Sequence, residues 1–124
     1  MCIRDSLNAI VKVRFDAIAH RDRELWREVI VEYLQRAEGF DSVLDATHAL
    51  VHERLSTTLG AYQQQRILDA YVDTSVMATA IEAIMDNALR RYIMEPTLAK
   101  VELLASLRDQ IELIVGPYLK GAMH

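Results

Sequence analysis

The residues best suited to chemistry lie in the run DATHALVHER, residues 45–54. His48 and His52 are four positions apart, and Asp45 precedes His48 by three. On a helix those spacings bring the three side chains to neighbouring positions on one face. Two imidazoles and a carboxylate so placed can ligate a divalent metal such as Zn²⁺. The H-E-x-x-H pattern of zinc peptidases is absent, because Ala49, Leu50 and Val51 fill the interior positions. No third ligand with a known spacing follows. Asp45, His48 and His52 are therefore weak metal candidates, and no cofactor is expected. Two other readings stay open. The same groups could line a small-molecule cavity, or His48 could be a hydrogen-bonded histidine inside a helical core.

Other catalytic chemistry finds little support. The single cysteine, Cys2, sits at the chain start, and Ser42, Ser56, Ser75 and Ser106 stand in no G-x-S-x-G context. No glycine-rich phosphate loop occurs. Carboxylates such as Glu24 and Glu28 lie beside Arg23 and Arg27, as on solvated helix faces. The chain is not expected to be an enzyme.

The elements that must position these residues are helices. Apolar residues recur at spacings of three and four, and only two prolines and four glycines interrupt them. Five helices are predicted, at 6–19, 22–37, 41–64, 74–94 and 96–115. Asp5 or Ser6, Asp22, Asp41 and Asp73 or Thr74 stand as N-caps of the first four. Pro96 opens the fifth, and Gly60 is expected to bend or end the third. The expected fold is an all-α five-helix bundle in one domain.

Composition sets the limits. The 124 residues fit a single domain, and 52% hydrophobic content excludes disorder. A net charge of −4 argues against nucleic-acid binding. No apolar run approaches the ~20 residues of a membrane span. The lone cysteine fits a reducing, cytoplasmic compartment. The opening MCIRDS looks like a translated sequencing-adapter end fused to a fragmentary reading frame. Residues 1–6 are thus expected to be non-native, 7–119 to form the domain and 120–124 a tail.

The inward stripes of helices 22–37, 41–64 and 74–94 converge on Trp26, Tyr33, His48, Val51, Leu55, Ile81 and Met85. These residues are the expected lining of a pocket for a small apolar or amphipathic effector, with His48 as its polar handle. Ordinary core packing is the competing reading. Helix 74–94 is unusual, since its apolar residues cover an arc of about 240° at 100° per residue. It must be covered on two sides, either as the central helix of a monomer or by a second copy of the chain. In the second case the interface would draw on Ala83, Asn87, Arg91, Leu107, Leu113 and Ile114. Leu113 stands on an otherwise polar face of its helix.

One family resemblance emerges from ordered elements in the second half. These are Val72-Asp73, an Ala80/Ala83/Ala88 helix with Asp86 in its middle, and Arg91-Tyr92-Ile93-Met94-Glu95-Pro96. A final amphipathic helix then ends at Gly116-Pro117-Tyr118-Leu119. Upstream, Glu24-Leu25-Trp26-Arg27 with Glu32 completes the set. Across residues 7–119 the chain resembles the C-terminal half of tetracycline-repressor-family transcriptional regulators. The resemblance implies an effector pocket enclosed by the first four helices. It also implies a homodimer through an intermolecular four-helix bundle of the last two. Members open with a helix-turn-helix segment of the pattern T-x-x-x-I-A-x-x-A-G-V-S, which is not found in this sequence. DNA binding is therefore implied for the intact parent and not for this polypeptide. The alternative is a stand-alone helical protein-interaction module without a ligand.

Overall fold

The computed structural model describes residues 3–19, 25, 27, 28 and 41–120, apart from the side chains of 17–19 and 41–48. Four helices are described, where five were expected: α1 (Ile3–Ala19), α2 (Asp41–Gln64), α3 (Thr74–Met94) and α4 (Lys100–Val115). The expected helix 22–37 lies outside the described residues except for Leu25, Arg27 and Glu28, which are helical.

Each helix follows from its apolar stripe and its ends. In α1, Ile3, Leu7, Val11 and Phe15 recur every four residues, and all four are buried. The stripe continues back to Ile3, and the helix is already formed there, upstream of Ser6. Ser6 lies within the helix, its hydroxyl 2.7 Å from the Tyr62 hydroxyl. In α3 the Asp73 carboxylate accepts from the amides of Ser75 at 3.0 Å and Val76 at 3.2 Å. The helix stops before Pro96, since the residue preceding a proline avoids the helical region. The last helix starts at Lys100 and not at Pro96. Pro96 instead sits in a turn closed by the Leu98 amide on the Glu95 carbonyl, 3.0 Å.

α3 occupies the centre. It packs on both α2 and α4, and α1 touches all three. Its buried face presents Met77, Ala78, Ile81, Met85, Ala88, Leu89 and Ile93. The shared core also takes Leu55 and Leu59 from α2 and Leu103, Leu107, Ile111 and Val115 from α4. Two ion pairs tie α1 to α4, Arg4 to Glu112 and Asp16 to Lys100. Lys100, and after it Lys12, holds the Asp16 carboxyl below the usual carboxylate range. A lowered carboxylate value means the pair is charged and intact at neutral pH. Its contribution disappears as the pH falls through that lowered value.

The two ends of the α2–α3 connection carry distinct backbone solutions. α2 does not stop at Gly60 but runs on to Gln64. A Cβ added at Gly60 would meet nothing within 4 Å. Gly60→Ala is therefore expected to raise stability by up to ~1 kcal/mol, the helix-propensity difference. The helix closes with the Ile67 amide on the Tyr62 carbonyl and the Arg66 amide on the Gln63 carbonyl, both 3.0 Å. This is a Schellman closure, and it puts Arg66 at φ 62°. A left-handed non-glycine residue costs ~1–2 kcal/mol. Glycine there loses ~0.5–1 kcal/mol more chain entropy on folding. The difference favours glycine, so Arg66→Gly is expected to stabilise by roughly 0.5–1 kcal/mol, raising the thermal midpoint by a few degrees. Calorimetry of both variants checks these signs.

Beyond α4 the chain turns through a short 3₁₀ segment, Gly116–Tyr118. Leu119 then pairs with Leu68 in an isolated antiparallel bridge. The Lys120 amide donates to the Ile67 carbonyl at 2.7 Å, so Lys120, expected in the tail, is docked on the α2–α3 connection. Residues 121–124 lie outside the described residues.

Candidate ligand pocket and pairing face

Three residues expected to line an effector pocket, Leu55, Ile81 and Met85, are fully buried in the shared core. Val51 packs half-buried at its edge. Trp26, Tyr33 and the side chain of His48 lie outside the described residues, as does the Asp45 side chain. A groove of about 450 Å³ lies elsewhere, between α1 and α2. Its walls include Ile10, Arg54, Thr57, Thr58 and Tyr62. Sequence reasoning passed over it because its wall is shared by two helices: Ile10 comes from α1, while Arg54, Thr57 and Thr58 lie beside the apolar stripe of α2 that carries Tyr62.

His52, at the edge of that stripe, joins α2 to α3. Its Nδ1 lies 3.3 Å from Glu82 Oε1, and its Nε2 lies 3.1 Å from the Ser75 hydroxyl. Ser56 donates to the Thr74 hydroxyl beside this array at 3.4 Å. Among the described residues, no group of three His, Cys, Asp or Glu side chains is placed to hold a metal. Neither Ser75 nor Glu82 was singled out with His52. Ser75 is 23 residues away, and no local pattern links them.

The residues expected at a dimer interface divide by exposure. Ala83, Asn87, Arg91 and Leu113 are exposed. Leu107 is 2% exposed, inside the chain's own core, and Ile114 packs half-buried against that core. Leu107 faces inward because Leu103, Leu107, Ile111 and Val115 share one side of α4. Arg91 donates to the Glu95 carboxylate at 3.0 Å.

On the outward side of α3, Val76, Ala83, Asn87 and Met94 fall within about 40° of one another at 100° per residue. Val76 is 65% exposed and Met94 42%. This strip lies opposite the buried face. On α4 the large exposed apolar residues are Val101 and Leu113, about 120° apart around the helix. The two therefore do not form one stripe. Among the described residues no helix is long and apolar enough to cross a membrane. No family model, no curated protein and no solved structure matches the chain.

Proposed function

We propose that this chain is the effector-sensing and dimerising domain of a one-component transcriptional regulator of the tetracycline-repressor type, working as a cytoplasmic homodimer. The observation that carries the reading is the outward strip of α3. Val76, Ala83, Asn87 and Met94 form an exposed, mostly apolar strip with a small residue near its middle. A two-fold axis brings such a strip onto its own copy, and alanine permits close helix approach. The spacing of seven between Val76 and Ala83, and again between Asn87 and Met94, suits helix pairing at a shallow angle. The ordered resemblance along residues 7–119 supports the sensing role. In that role an effector binds one of two dimer arrangements better and shifts their populations.

The test is oligomeric state. Light scattering at micromolar concentrations is expected to give a dimer. Ala83→Glu places two carboxylates face to face across the axis, and it is expected to weaken association by at least ~100-fold with helicity unchanged. Leu113→Glu tests whether α4 joins the interface. A monomeric parent chain would overturn the reading. The placement of Leu55, Ile81 and Met85 in the shared core, fully buried, favours a second reading, an interaction module without a ligand. Stoichiometric binding of the apolar dye 1-anilinonaphthalene-8-sulfonate to the folded dimer would favour the sensing domain, and no binding the module.

A further inference from the structure

The crossing of α2 and α3 sets a hydroxyl, an imidazole and a carboxylate in a line. Ser75 Oγ is 3.1 Å from His52 Nε2, and Glu82 Oε1 is 3.3 Å from Nδ1 on the other side of the ring. A serine within hydrogen-bond reach of an imidazole that a third group orients is the arrangement that activates a nucleophile. Exposure falls along the line. Ser75 is open to solvent, whereas the His52 side chain is 31% exposed and that of Glu82 is 13%. The reactive end therefore faces water, and the carboxylate end is largely shielded from it, where its charge is felt more strongly. A carboxylate 3.3 Å from Nδ1 favours a proton on that nitrogen through its charge, without a hydrogen bond to it, and in the neutral ring this leaves the Nε2 lone pair for the serine proton.

We propose that Ser75 is an activated hydroxyl that accepts an acyl group from activated esters, with His52 as general base and Glu82 as a positioning residue. Ser75 Oγ attacks the ester carbonyl carbon while its proton passes to His52 Nε2. The tetrahedral intermediate collapses, and the bond from carbon to the leaving oxygen breaks. The proton on His52 then goes to the departing oxygen, or to water when that oxygen leaves as a stable anion. The products are an acyl ester of Ser75 and the free alcohol or phenol.

The surroundings also limit the donor. The amides of Ser75 and Val76 are both taken by the Asp73 carboxylate. Neither is free to hold an oxyanion, a contribution worth ~10²–10³ in rate where it exists. Only esters with good leaving groups acylate Ser75, and the acyl group then persists on it. The reactive array is separate from the outward strip of α3 and does not rest on dimer formation.

The experiment treats the full chain with p-nitrophenyl acetate and maps the product by peptide mass. A single acetyl group on Ser75 is expected, absent from Ser75→Ala. His52→Gln is expected to slow acetylation by roughly 100-fold, within the range of general-base contributions, and Glu82→Gln to slow it less. Ser106, bonded to the Gln110 amide and not to an imidazole, is the internal control and stays unmodified. Acetyl groups found only on lysines or the terminal amine would overturn the proposal. So would an unchanged rate of Ser75 acetylation in His52→Gln. Should that variant lose helicity, Glu82→Gln carries the comparison, and a rate equal to the parent's overturns the proposal as well.

Discussion

Phe15→Ala is expected to lower the unfolding free energy by about 3–5 kcal/mol. The ring is fully buried and lies edge-on to Tyr92 of α3, with centroids 5.2 Å apart and planes at 66°. Truncation removes the transferred apolar area and leaves a cavity where α1 packs on the other helices. It also removes an aromatic pair of ~0.5–1.5 kcal/mol. A domain of this size has about 5–15 kcal/mol in total, so the variant loses much of its stability. Phe15→Leu keeps most of the volume and is expected to cost less than half as much. Denaturant midpoints for the pair decide it. A loss below about 1 kcal/mol for Phe15→Ala would mean that α1 is not seated in the core.

The second large effect is placed outside any helix. Leu68→Ala is expected to cost about 2–4 kcal/mol, as for a core leucine. Leu68 belongs to the α2–α3 connection, yet it is fully buried, and its backbone bridges to Leu119. The connection is held from within. The Gln63 side-chain amide donates to the carbonyls of Asp69 at 3.0 Å and Val72 at 2.7 Å. Tyr71, three positions on, is 98% exposed, so Tyr71→Ala is expected to stay within ~0.5 kcal/mol. Measured together, the two variants separate a core position from a surface one in a single loop. Similar costs for both would show that the loop is not packed as described.

Much of the helical framework was legible in the order of residues. The repeats Leu7-Val11-Phe15, Leu55-Leu59 and Leu103-Leu107-Ile111 each mark the buried side of one helix. Asp73 and Pro96 mark where α3 starts and where it must stop. These are local matters, since a helix stripe and its caps depend on neighbours within a few positions along the chain. Helix 74–94 shows where such reading ends. With apolar residues over most of its circumference, its wheel could not say which side faces inward. Packing against α2 and α4 buried Ile81, Met85 and Leu89 and left Val76, Ala83 and Asn87 outside. The burial of Leu68 and Leu119 and the meeting of His52 with Ser75 and Glu82 were decided at the same level. Each joins segments distant in sequence, and what brings them together is the angle and register at which helices cross, which no periodicity within one helix encodes.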